Sequence, residues 1–274
     1  MNIINRGELK LKIKKMIITI ILAIIIVIGV TIFKNYKNHK KSDVKIPILL
    51  YHDFITIVPD SNPDNFSYIN TPQSFEENIK TILDDGYTVI SMKELNNANK
   101  GKIELPSKPI LITFDDGYYS NYEYIYPILK QYNVKASIFV TTDKVGKEIN
   151  GLKYLGWNEC LEMQNSGLVE IFSHGKRHIF YDKFPVREIR DDVIESYKII
   201  ETNLGKKELK AFAYPYGAYT KETVWVLKSN GIDLQIYDIG INYFNSFNKN
   251  FIKRINIPCE MTGKEIIEEI KNIR

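Results

Sequence analysis

The sequence predicts a parallel α/β barrel of about seven to eight strands, preceded by one transmembrane helix. Three observations carry that prediction. Between residues 46 and 274, short apolar runs rich in Ile, Val and Phe alternate with amphipathic stretches that stop at glycine. That is the pattern of a parallel sheet with crossover helices. The residues able to do chemistry fall at or just beyond the ends of those runs, where a parallel barrel gathers its site. Residues 16–33 are an uncharged run of 18 with lysines on both flanks; as a helix this spans about 27 Å, enough to cross a bilayer.

The N-terminal stretch is basic. Arg6, Lys10, Lys12, Lys14 and Lys15 precede the apolar run, and Lys34, Lys37, Lys40, Lys41 and Lys45 follow it. The two flanks balance, so the positive-inside count does not orient the helix. A short tail before a single apolar segment has the form of a signal-anchor. That reading places 1–15 in the cytoplasm, 16–33 in the membrane, 34–45 as a basic linker and 46–274 outside the cell. No small-x-small cleavage pattern follows the run and no cysteine is there to carry a lipid, so the anchor is expected to stay uncleaved. The net charge of +4 is concentrated here: residues 46–274 keep 27 Lys/Arg against 31 Asp/Glu, a net of −4. A mildly acidic body excludes a nucleic-acid role. Cys160 and Cys259 are too few for a disulfide framework and match no zinc spacing.

The elements follow in order. Residues 46–51 form a first buried strand ending on His52-Asp53, and 56–73, with three prolines, form a loop. Ser74-x-x-Glu77 reads as a capping box for a helix carrying Phe75, Ile79, Ile82 and Leu83, stopped by Gly86. Strands are expected at 87–91, 109–114, 136–140, 168–173, 209–214, 232–237 and 251–257. Helices are expected near 121–132, 157–164, 187–204 and 220–230. Thr262-x-x-Glu265 caps a last one.

The run at 109–114 climbs to Phe114 and ends on Asp115-Asp116-Gly117. Two adjacent acids on a buried strand conflict unless a cation lies between them; one could ligate a metal while the other stays free as a base. An exposed Asp-Asp-Gly turn is the plainer alternative. Of four histidines, His39 lies in the linker, and His52, His174 and His178 all fall at strand ends on one expected face. His174 and His178, four residues apart, join Asp116 in a facial His-His-carboxylate set with open positions. Such a set suits Zn2+ or another divalent ion such as Co2+, Ni2+ or Mn2+. Tyr118, Tyr119, Tyr154, Trp157 and Tyr216 offer rings that could stack on sugars.

Thr113-Phe-Asp-Asp-Gly117, Ser173-His-Gly-Lys-Arg-His178 and Phe212-Ala-Tyr-Pro-Tyr-Gly217 together resemble the three motifs of the polysaccharide deacetylase family, the NodB-homology carbohydrate esterases. The resemblance covers roughly 46–260. It implies a distorted (β/α) barrel that removes N-acetyl groups from N-acetylglucosamine units. It implies Asp115 as general base, Asp116, His174 and His178 as metal ligands, and the Tyr216 N–H as an oxyanion donor. Tyr118, Trp157, Pro215 and Tyr216 are the residues expected to contact substrate. Ala213 stands where the family's arginine orients the base, Gly175 where Ser or Thr is commoner, and no histidine follows His178. The poly-β-1,6-N-acetylglucosamine deacetylase branch instead draws its acid from an early Tyr-His. Tyr51-His52 resembles that, placing His52 across the barrel mouth from Asp115. The implied partners are an acetylated cell-surface or extracellular glycan and the membrane, as in cell-wall or biofilm polymers. Two other readings fit the same residues: a peptidoglycan or chitooligosaccharide deacetylase, and a non-catalytic anchored carbohydrate-binding protein.

Overall fold

The computed structural model describes residues 6–41, 44–56, 69–259 and 261–273. Most of the loop expected at 56–73 lies outside them. The chain divides into two compact units, Met1–Val44 and Lys45–Arg274.

The first unit is one helix, α1 (Arg6–Lys41). Its segment Ile13–Thr31 is long and apolar enough to cross a membrane. Two hydroxyls in that segment return to the helix: Thr19 Oγ1 donates to Lys15 O at 3.0 Å and Thr31 Oγ1 to Val27 O at 2.8 Å. Each hydroxyl thereby finds its partner within its own helix. The linker expected at 34–45 is helical as far as Lys41. Lys-rich polar sequence without an apolar period can still propagate a helix already nucleated upstream.

The second unit is a closed barrel of seven parallel strands: β1 (Ile48–Tyr51), β2 (Pro109–Phe114), β3 (Ala136–Val140), β4 (Val169–Ser173), β5 (Ala211–Ala213), β6 (Leu234–Ile239) and β7 (Ile252–Asn256). Each strand pairs with its sequence neighbour, and β7 pairs back onto β1. The run expected at 87–91 is not an eighth stave. It is the two-residue strand Thr88–Val89, docked on the start of β2. Ser91 then caps an unforeseen helix, α3 (Met92–Asn99), through a capping box with Glu94.

Outside the barrel lie α2 (Pro72–Asp84), α4 (Tyr126–Tyr132), α5 (Trp157–Asn165), α6 (Val186–Leu204), α7 (Lys221–Ser229) and α8 (Gly263–Asn272). The cap of α2 is Thr71, whose side chain accepts from Ser74 N, so the helix begins two residues before the box expected at Ser74. Pro72, free to open a helix because its missing N–H is not needed there, explains the earlier start. The capping box expected at Thr262 and Glu265 is present.

Strand alternation divides the core in two. Ile48, Leu111, Phe139, Phe172, Ala211, Ile236 and Ile252 share one buried cluster inside the barrel. Leu49, Ile112, Ile138, Ile171, Phe212 and Ile255 share another with the helices, including Ile79, Val193 and Ile266. Each of these Ile, Leu, Val and Phe side chains, fully buried, contributes about 1.5–3 kcal/mol.

Candidate metal centre and active site

The same alternation builds the site. Two residues beyond Leu111 and four beyond it stand Thr113 and Asp115. Two beyond Phe172 stands His174; two beyond Ile252 stands Arg254. These polar groups therefore cap the interior apolar layer, and all are buried: Asp115 is 3% exposed, His174 3% and Arg254 6%. His52 follows β1 on the same parity. Because Tyr51 lies opposite Phe114 in the β1–β2 pair, His52 and Asp115 leave neighbouring strands. The expectation that His52 lies across the mouth from Asp115 is corrected by this register.

Asp116 and Gly117 both turn left-handed (φ 68° and 78°), which swings the Asp116 carboxylate away from its neighbour. His178 (φ 57°) and Tyr216 (φ 60°) share that sparsely populated conformation. Three non-glycine residues held so at one site mark it as over-determined by its surroundings. Asp116, His174 and His178 each bring a ligand atom within 4.8 Å of the other two. His174 Nδ1–H donates to Ala213 O at 2.8 Å, which leaves Nε2 as the ligating atom. His178 Nδ1 lies 3.1 Å from Tyr216 Oη and its Nε2 3.1 Å from Asp116 Oδ1. Burial, then the neighbouring His174, pushes His178 down to about 4, so it is a neutral imidazole near pH 7. Two imidazoles, that of His174 fixed in its tautomer by Ala213 O, and one carboxylate oxygen fit a divalent ion. Lys144 Nζ also reaches Asp116 Oδ1, at 3.1 Å. Burial opposes the Asp116 charge, but His174, His178 and Lys144 together hold the carboxyl below its ordinary value.

Asp115 is braced from an unexpected quarter. Arg254 donates to it with both arms, Nη1 to Oδ1 at 2.7 Å and Nη2 to Oδ2 at 2.6 Å. Burial alone would raise the Asp115 carboxyl; the Arg254 charge, with His174 and His52, overcomes this and holds it well below the usual range. The arginine absent at Ala213 is thus supplied by β7. The signal lay in Phe251-Ile-Lys-Arg-Ile-Asn-Ile257: two adjacent cations on a buried strand point to opposite faces, so one of them must enter the barrel. Burial foremost lowers His52 below its ordinary value, against the pull of Asp115 and Asp116.

A cavity of about 700 Å3 opens over this layer, lined by His52, Asp115, Asp116, His174, His178 and Arg254, with Tyr118 and Tyr216 among its walls. Tyr118 stacks on Tyr154 at 5.1 Å, and Tyr216 lies flat on Phe180 at 3.9 Å while 59% exposed. Trp157 is not on this wall: it opens α5 and packs against the outer core. Pro215 is buried beneath the turn and does not line the cavity either. Trp157, expected at the substrate as an aromatic ring, and Pro215, expected there as part of the third motif, are redirected by the helix start and the tight turn.

Residues 102–234 match the family model described as polysaccharide deacetylase. The chain is 29% identical over 193 residues, 70% of its length, to YxkH of Bacillus subtilis (strain 168), whose name also places it among polysaccharide deacetylases. It is 32% identical over 178 residues, 61% of its length, to the poly-β-1,6-N-acetyl-D-glucosamine N-deacetylase of Staphylococcus aureus (strain MSSA476). The matched stretch spans 64% of the first relative and 60% of the second. Among solved structures, the Streptococcus pyogenes deacetylase PplD, in complex with acetate, superposes with a TM-score of 0.73 at 25% identity, over 83% of this chain and 98% of that one.

Proposed function

We propose that this chain, which belongs to the polysaccharide deacetylase family, removes N-acetyl groups from N-acetylglucosamine units of an extracellular polysaccharide. Poly-β-1,6-N-acetylglucosamine is the first candidate polymer, because relatives at 28–32% identity carry that substrate in their names. One observation carries the reading: Asp116, His174 and His178 meet within 4.8 Å, beside a carboxylate that is held ionised by Arg254.

Asp116, His174 and His178 would hold a divalent ion, with Zn2+ the first choice for two nitrogens and one oxygen. When bound, such an ion polarises the acetyl carbonyl and the attacking water. Asp115 accepts the water's proton, its carboxylate oriented by the two Arg254 arms. His52 returns a proton to the leaving nitrogen. The Tyr216 N–H donates to the developing oxyanion. Tyr118 and Tyr216 flank the sugar. The products are a glucosamine amine, cationic at neutral pH, and acetate, the molecule found with the S. pyogenes neighbour.

The test is amine release from defined acetylated glycans by the full chain in detergent. A 1,6-linked polymer, chitooligosaccharides and peptidoglycan form the panel. Chelation is expected to abolish release and Zn2+ to restore it. A His174→Ala/His178→Ala double variant is expected to carry no metal; equal metal content in variant and parent would remove the site. Release from the other glycans alone would move the substrate within the family.

The apolar segment of α1 is proposed as an uncleaved anchor that holds the barrel outside the cell. Protease added to intact cells is expected to remove the barrel. Protection in intact cells with digestion only after lysis would reverse the orientation.

A further inference from the structure

We propose that Asp192, on α6, is the positioning residue of the metal centre: it fixes the turn from His174 to His178 so that both imidazoles reach one ion. This rests on the metal-binding reading above. Asp192 is 4% exposed, inside a helix whose neighbouring inward positions are Ile189, Val193 and Ile200. An apolar side chain would serve the packing there as well, and a buried carboxylate costs several kcal/mol unless fully bonded. Its bonds all run to one short segment. Lys176 N–H donates to Oδ2 at 2.8 Å, Tyr181 O–H to Oδ2 at 2.6 Å and Arg177 Nε–H to Oδ1 at 2.7 Å.

That segment needs outside support. Gly175 (φ 83°) and His178 (φ 57°) are both left-handed, two such residues in five, a backbone that does not hold itself. A Cβ on Gly175 would lie 2.4 Å from Tyr181 Oη and 3.0 Å from Asp192 Oδ2. The Tyr181–Asp192 pair therefore fills the space that a side chain after His174 would occupy, and the turn has none of its own there to brace it. One helical turn further along α6, Ser196 completes the grip. Gly175 N–H donates to Ser173 Oγ at 3.0 Å; Ser173 and Ser196 Oγ lie 2.5 Å apart; Ser196 donates to Val193 O at 2.7 Å. From the other side, Thr142 N and Asp143 N donate to Gly175 O and Lys176 O at 3.1 and 3.0 Å. Tyr181 itself is stacked on Phe212 at 5.4 Å, so its hydroxyl is a fixed point. Asp192 touches neither histidine and does not line the cavity. It acts through the backbone, setting the ring centroids of His174 and His178 5.0 Å apart.

The probe is Co2+, titrated into the metal-stripped full chain in detergent and followed by its visible absorption. Asp192→Asn keeps the shape and removes the charge. It is expected to weaken Co2+ binding by about tenfold to a hundredfold, the range for residues that orient ligands, and to change the visible band. Tyr181→Phe removes one of the three donors and should weaken binding by less. Ile200→Ala, on the same helix two turns away, should lower the melting temperature and leave Co2+ affinity unchanged. Parent-like Co2+ affinity in Asp192→Asn, or an equal loss in Ile200→Ala, overturns the proposal. If Asp192→Asn does not fold, Tyr181→Phe decides, and parent-like affinity there overturns it. A parent chain that takes up no Co2+ would instead overturn the metal reading itself.

Discussion

Asp115→Asn is expected to keep its metal and lose turnover by about a hundredfold to ten-thousandfold, the range for a lost general base. That is roughly 3–5 kcal/mol on the barrier. The expectation follows from how the two adjacent aspartates are separated. The left-handed Asp116-Gly117 turn aims Asp116 at the histidines, while Asp115 stays on the strand's interior face and is paired to Arg254. The amide has nearly the volume of the carboxylate, so the barrel keeps its packing. It cannot accept a proton at neutral pH. Elemental analysis beside amine release separates the two roles: loss of metal together with activity would mean the two aspartates have been assigned the wrong way round. A pair of guanidinium bonds to the base also implies that Arg254 cannot be swapped freely. Lys at that position would keep a charge but lose the two-armed geometry.

Much of this was legible before any coordinates. Short apolar runs located all seven staves, because strands buried on both faces read as unbroken apolar stretches. The residues that gather at the candidate site were legible for a related reason: a carboxylate or histidine at the end of such a run breaks the local pattern, and Asp115, His174 and His52 all do. What was missed has physical causes too. Residues 87–91 are apolar enough for a stave, yet Ser91 and Glu94 cap a helix there, and a two-residue strand leaves no periodicity to read. Arg254 was passed over because it sits beside Lys253, and a Lys-Arg pair looks like a solvated edge until the register fixes which one enters the barrel. Trp157 looked like a sugar platform by residue type alone; its place at the start of α5 turns the ring to the core. Asp192 carries no signal in sequence, since one acid among many on a charged helix is distinguished only by the loop that packs over it.

His52→Ala is expected to keep fold and metal while turnover on an N-acetyl substrate falls about a hundredfold or more. An activated ester should suffer much less, because its leaving group departs without a proton. The fold should survive because the backbone at this position is held independently: Asn121 Nδ2 donates to His52 O at 2.9 Å, and Asp115 N to Tyr51 O at 3.1 Å. Neither bond needs the imidazole. The chemistry should not survive, because among the cavity's histidines the other two carry ligand atoms. Arg254 is committed to Asp115 and does not give up a proton. Burial lowers His52 below its ordinary value, which makes the protonated ring a stronger acid and a readier donor to an amine nitrogen. The register gives it the right place, one strand over from the base, so that proton removal from water and proton delivery to the leaving group flank the same carbonyl. Equal losses on the amide and the ester would mean that His52 holds substrate or shapes the cavity. Lys144, whose Nζ reaches Asp116 Oδ1 at 3.1 Å, would then be the next acid to test, and Lys144→Met would show the amide-selective loss in its place.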